Sequence, residues 1–162
     1  MRDTAERCHA RFRLKFSVEE SQRMHYETPQ DAEDAYYDAL DAGDAVAMDE
    51  VWEASDKIAC LLPMTPLATG PEVRRLWRAI FEQGARFEIE VRHHLWIENG
   101  DLAIHLIEER TGARNDGSPP PAIYGTNVFR LGPDGWRLLL HQNSPAPLPP
   151  PGAASSQRTA LA

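Results

Sequence analysis

At 162 residues, 42% apolar and 26% charged, the chain is long enough for one globular domain with a sizeable core. Its net charge of −8 argues against a nucleic-acid surface, which needs clustered positive charge. Two cysteines, Cys8 and Cys60, cannot build a disulfide framework, no apolar run reaches membrane-spanning length, and no apolar stretch follows the N-terminal arginines, so a reduced, cytoplasmic protein is expected.

Residues 1–27 read as a loosely ordered extension, with the alternation of Phe12, Leu14, Phe16 and Val18 as a thin strand signal. Thr28 and Pro29 suit the N-cap and first position of a helix reaching about Ala42. Ala32, Ala35, Tyr36, Ala39 and Leu40 form its apolar stripe. Gly43 can end it in the left-handed conformation, and Asp44 can cap a second helix to about Ala54, carrying Met48, Val51 and Trp52 inward. Residues 58–62 are a short strand stopped by Pro63, and 63–70 a loop. Pro71 opens a third helix with Val73, Leu76, Trp77, Ile80 and Phe81 at helical spacing, ended by Gly84.

Residues 86–98 alternate as a long strand, with Phe87, Ile89, Val91, His93, Leu95 and Ile97 on one face and Arg92, His94 and Trp96 on the other. Asn99-Gly100 is a hairpin turn before a returning strand over 101–110. Residues 111–121, with three consecutive prolines, read as a mobile loop. Strands over 123–131 and 136–144 flank the turn Gly132-Pro133-Asp134-Gly135. Residues 146–162 read as a disordered Pro/Ala-rich tail. The expected fold class is α+β: three N-terminal helices packed on a curved, mainly antiparallel sheet, a cone with a central pocket, spanning 28–145.

Four stretches carry a family resemblance: Tyr36 to Asp44 with Trp52, the Gly70 to Phe81 helix, Thr126-Asn127-Val128-Phe129-Arg130, and Gly135-Trp136-Arg137 leading to His141-Gln142-Asn143-Ser144-Pro145. In these the chain resembles the SnoaL-like branch of the nuclear transport factor 2-like superfamily, which includes ketosteroid isomerases and polyketide cyclases. The resemblance implies that Tyr36 stands at the isomerase's hydrogen-bonding tyrosine, Asn127 at its protonated aspartate and Phe129 at a cavity phenylalanine. Cys60 stands at the aspartate base, so ketosteroid isomerisation is not expected. Tyr36 and Asn127 are the candidate catalytic donors to a carbonyl oxygen. The remaining pocket candidates are Trp52, Cys60, Leu62, Trp77, Phe81, Phe129, Leu140, Gln142 and His141. By analogy with the isomerase strand, Leu138, Leu140 and Gln142 face the cavity, and a one-residue slip would exchange them for His141 and Asn143.

Other chemistry reads more plainly. Cys60 is a small buried hydrophobe rather than a nucleophile, unless His105 or His141 approaches it in space. Adjacent strand residues point to opposite faces, so His93 and His94 cannot share one ion, and His93 reads as a core histidine. His105 and Glu109 share a strand face and read as an exposed pair or, less simply, an acid/base pair; Glu108-Glu109-Arg110 reads as solvated charge. No P-loop, dinucleotide turn, H-E-x-x-H or C-x-x-C occurs, so neither cofactor nor metal is expected. Two functions fit: a cofactor-independent isomerase, cyclase or hydratase acting on a small apolar carbonyl compound, or a non-catalytic ligand-binding or dimerising domain. A homodimer is expected through the outer sheet face bearing Arg92, His94 and Trp96, with no nucleic-acid or membrane partner.

Overall fold

The computed structural model describes residues 24–112 and 122–145. The expectations for the Phe12–Val18 alternation, most of the proline-rich loop and the Pro/Ala tail lie outside the described residues. Helix α1 (Pro29–Ala42) begins with a reciprocal cap. The Asp31 backbone N–H donates to the Thr28 hydroxyl at 3.1 Å, and the Thr28 N–H donates to the Asp31 carboxylate at 2.9 Å. Such a cap is worth about 1 kcal/mol. Gly43 ends the helix at φ 65°, with the Ala85 carbonyl 3.1 Å from where a Cβ would sit. Asp44 then accepts from the N–H groups of Val46 and Ala47 and starts α2 (Ala45–Val51). This helix stops three residues before Ala54, because Trp52 turns to extended backbone and bridges Leu138.

Strands β1 (Ala59–Leu61) and β2 (Ala68–Thr69) precede α3 (Pro71–Glu82). The two residues of β2 lie in the segment expected to be loop. Four long strands follow: β3 (Ile89–Asn99), β4 (Leu102–Thr111), β5 (Ile123–Gly132) and β6 (Gly135–Pro145). They form the antiparallel meander, and β1 adds to β6 in parallel, giving a mixed six-strand sheet in the order β2-β1-β6-β5-β4-β3. The three helices pack on the inner face of this curved sheet. At the centre, the buried Tyr36 ring meets Tyr37, Trp52 and Trp77 edge-on, with centroids 5.1, 6.5 and 5.8 Å away. Burial of one such large side chain contributes roughly 1.5–3 kcal/mol.

Ahead of α1, Tyr26 is buried and bridges Gly135 at the start of β6. The Trp136 N–H donates to the Tyr26 carbonyl at 2.9 Å, and the Arg137 guanidinium lies 4.7 Å from the centre of the Tyr26 ring.

Two bulges decide which side chains face inward. Partners on β4 shift between His93 and Leu95, leaving His94 as the extra residue. The strict alternation expected over 86–98 therefore reverses there. Leu95 and Ile97 turn to the outer face, opposite Leu106 and Ile104, while Trp96 turns inward and stacks on His105 at 4.6 Å. The second bulge lies between Val128 and Phe129, whose partners are Leu140 and Leu138, so Leu139 is extra. Leu138, His141 and Asn143 consequently face the interior, and Gln142 is exposed. Among the described residues no helix is long and apolar enough to cross a membrane.

Candidate functional site

A cavity of about 300 Å³ lies between α1, α3 and the inner sheet face. Leu40, Leu62, Trp77, Ile80, Phe87, Ile89 and Ile123 give it hydrocarbon walls, and Tyr36, Glu109, His141 and Asn143 supply most of its polarity. The cavity sits at the small end of the ~300–1,000 Å³ range of ligand sites.

Glu109 is the carboxylate on this wall. It sits on the inner face of β4 and is 4% exposed. The Tyr37 hydroxyl donates to Oε1 at 2.6 Å, and the Asn143 amide donates to Oε2. Burial raises its pKa above the ordinary carboxylate value, more than the two donors lower it, and the charge of Glu33 adds to the rise. Tyr36 faces the same cavity; burial holds its hydroxyl well above the usual phenol range, so it serves as a donor.

Behind the wall runs a buried polar chain whose proton positions follow from one another. Glu33, on α1, is 1% exposed, and the Asn127 amide donates to its Oε1 at 2.7 Å. A carboxylate accepts, so the Asn127 nitrogen must face Glu33 and its oxygen must face His141. His141 Nδ1–H therefore donates to Asn127 Oδ1, at 2.6 Å, and Nε2 is left as the acceptor. Burial pushes the His141 imidazolium down to about 4, against a partial opposing effect of Asn143 and Glu33, so the ring is neutral near pH 7. The second Glu33 oxygen accepts from His93 Nε2–H at 2.5 Å and lies 3.1 Å from His105 Nδ1. Burial pushes the Glu33 carboxyl up, but contacts with His105, His93 and Asn127 outweigh it and hold the pKa below the ordinary value.

The expected site residues separate into groups. Tyr36, Leu62, Trp77 and His141 line the cavity. Asn127 does not; it is fully buried between Glu33 and His141 and holds the His141 ring from behind the wall. Trp52, Phe81 and Phe129 are core, with the Trp52 indole N–H donating to the Met48 sulfur at 3.3 Å. Cys60 is buried beside His141 in the sheet register, and burial pushes its thiol up to about 12, which leaves it protonated and inert.

Other expectations are corrected. Leu140 and Gln142 are off the wall because the Leu139 bulge exchanges the faces of β6. His105 and Glu109 are buried rather than exposed, and they do not pair: Glu109 bonds Tyr37 and Asn143, and His105 sits beside Glu33. Glu108 and Glu109 are both buried rather than solvated, Glu108 with Arg110 and His94. His93 is half-buried at the sheet margin rather than in the core. Glu33 was missed because an acidic residue beside an apolar stripe reads as solvent-facing. Its spacing from Tyr36 and Tyr37, at i+3 and i+4, is the signal that puts it on the inner face.

This helix-on-curved-sheet cone is the nuclear transport factor 2-like fold, and the site within it is the hollow between its layers. Residues 30–149 match the SnoaL-like domain model, and the chain belongs to that family. It is similar to a provisionally named calcium/calmodulin-dependent protein kinase type II association domain from Thiobacillus denitrificans, at 35% identity and TM-score 0.70, over 76% of this chain and 98% of that one. It is also similar to a provisionally named dehydratase of the nuclear transport factor 2-like family from Streptomyces avermitilis, at 26% identity and TM-score 0.59, over 71% of this chain and 91% of that one. A ketosteroid isomerase-like protein from Erwinia carotovora atroseptica shares the fold at 19% identity and TM-score 0.58, over 82% and 100% of the two chains. No curated protein matches the chain.

Proposed function

We propose that the chain binds a small apolar molecule bearing a carbonyl group in this cavity, and that Glu109 moves a proton on it. The carrying observation is a single carboxylate among the described lining residues, set in hydrocarbon and held by Tyr37 and Asn143. The missing aspartate at position 60 is thus answered from another strand. A carboxylate with a raised pKa takes a proton from the carbon beside a carbonyl. The C–H bond breaks, a carboxylic O–H forms, and the electron pair moves to the carbonyl oxygen, where the Tyr36 hydroxyl donates to the developing charge. Return of the proton to another carbon gives isomerisation. Loss of a β-hydroxyl, which takes the proton from Glu109 and leaves as water, gives dehydration, the activity in the Streptomyces relative's provisional name.

The test is α-carbon deuterium exchange in D₂O over a panel of small cyclic enones and β-hydroxy ketones, followed by NMR. Glu109→Gln should lower the exchange rate by ~10²–10⁴ while binding persists. Absence of exchange across the panel, or exchange in Glu109→Gln as fast as in the unsubstituted chain, would reject the reading.

A second reading rests on the outer sheet face. Leu95, Ile97, Leu102, Leu106 and Tyr124 are each 36–47% exposed there, and the most similar of the three relatives above is named as an association domain. We infer self-association through this face, with Leu95 and Ile97 in place of the expected Trp96. Sedimentation of Leu95→Glu against the unsubstituted chain tests it. Identical monomeric behaviour of both at micromolar concentration rejects it.

A further inference from the structure

On the side of α1 away from the candidate cavity, Glu33 from α1, His93 from β3 and His105 from β4 converge. One ligand-type atom of each lies within 4.8 Å of the others. They come from three separate elements, so the cluster is a product of the tertiary fold and not of a helix end or an acidic run. His105 is fully buried, yet among the described residues neither ring nitrogen has an aligned hydrogen-bond partner. Its Nδ1 is 3.1 Å from Glu33 Oε2, but the two are not aligned as donor and acceptor. Buried side-chain polar atoms are overwhelmingly satisfied in native proteins, and an imidazole orphaned at both nitrogens calls for a partner. Two imidazoles and one carboxylate are the donor set of open divalent transition-metal sites.

We propose that Glu33, His93 and His105 form a binding site for one divalent first-row transition-metal ion of the zinc type. The spacing suits it. Ligand atoms around a tetrahedral ion with ~2.1 Å bonds stand about 3.4 Å apart. The Glu33–His105 distance of 3.1 Å is already close to that, and the Glu33–His93 contact of 2.5 Å has to open. His93 is the ligand free to move, because its side chain is 27% exposed whereas Glu33 and His105 are sealed. On binding, the His93 ring proton moves from Nε2 to Nδ1, and the freed Nε2 lone pair ligates the ion. A separate hollow of about 330 Å³, lined by Gln30, Glu33, Asp34, Asp38 and His93 among others, leads from solvent to the cluster. Its two further carboxylates make the approach favourable to a cation. Trp96 stacked on one side of His105 and Phe129 at 5.0 Å on the other fix the buried imidazole for ligation.

Metal uptake is read directly rather than through proton transfer, so the test needs no substrate. Tag-free full chain is dialysed against chelator and titrated with Zn²⁺ by calorimetry, and with Co²⁺ by visible absorption. One equivalent should bind, with a rise in the thermal midpoint and a ligand-field band for Co²⁺. His93→Ala, at a half-exposed position that tolerates truncation, should weaken binding by more than the ~10–100-fold that loss of a supporting contact costs. His94→Ala, which points to the other face and bonds Glu108, should leave it unchanged. No stoichiometric uptake, or uptake equal in His93→Ala and the unsubstituted chain, would overturn the assignment.

Discussion

Asn127→Asp is the sharpest probe of the buried polar chain, because it changes one NH₂ to oxygen and leaves volume alone. In the native chain the amide donates to Glu33 at 2.7 Å. The aspartate would set oxygen against oxygen at that distance. Two full charges so placed repel by ~6 kcal/mol at an effective dielectric of 20. Protonating one free carboxyl at pH 7 costs less, ~4 kcal/mol, from about three units at 1.36 kcal/mol each. The cheaper route wins: the pair takes up a proton, and the new O–H donates to Glu33 while the other oxygen still accepts from His141. The folded-state pKa of the new aspartate is thereby raised above its unfolded value. Its penalty is therefore greatest at high pH and fades as pH falls toward the unfolded value. Urea unfolding followed by tryptophan fluorescence should show a deficit of ~4 kcal/mol at pH 7, shrinking by ~1.4 kcal/mol per pH unit to ~1.5 kcal/mol at pH 5. A deficit under ~1 kcal/mol at pH 7, or one that does not change between pH 5 and 7, would show that Glu33 and residue 127 are not in contact.

Further outcomes follow from other sites. His141 is neutral in the folded state down to about pH 4. Its folded pKa is depressed, so stability present above the unfolded value of 6.5 is lost as pH falls between 6.5 and 4, by about 3 kcal/mol in all; His141→Phe should flatten that limb of a stability-against-pH curve. In a Cys8→Ser background, Cys60 should resist alkylation at pH 8 until denaturant is added, since its thiol is buried and pushed up to about 12; rapid labelling of native protein would contradict this. Gly125→Ala places a Cβ 2.8 Å from Ile107 Cγ1 on the inner face. It should cost roughly 1–3 kcal/mol in thermal or urea unfolding, as overpacking does.

The helices were legible because local chemistry specifies their ends: Thr28, Gly43, Asp44 and Pro71 act within a few residues of where they stand. The meander was legible from its turns for the same reason. The faces of β3 and β6 were not. An extra residue such as His94 or Leu139 leaves no mark in composition, and only the partner strand reveals the two-against-one pairing. The carboxylates were misread for a related reason. Glu109 is satisfied by Tyr37, 72 positions away, and Glu33 by Asn127, 94 positions away. Without those partners a charged residue has no reason to be buried, and sequence neighbours carry no trace of them. The stripe turned Tyr36 inward and the family resemblance made it a site candidate; it lines the cavity, whereas Asn127 lies behind the wall.

The last strand, β6, lies between β1 and β5 in the middle of the sheet. On a ribosome, every earlier element of this domain emerges before the piece that unites them. Helices α1 to α3 can coil early, but Trp52, Cys60 and Phe129 all wait for β6 to complete their surroundings. The half-made chain thus carries greasy surface until residue 145 has cleared the exit tunnel, and that interval is when its translation is most exposed to chaperones and to aggregation.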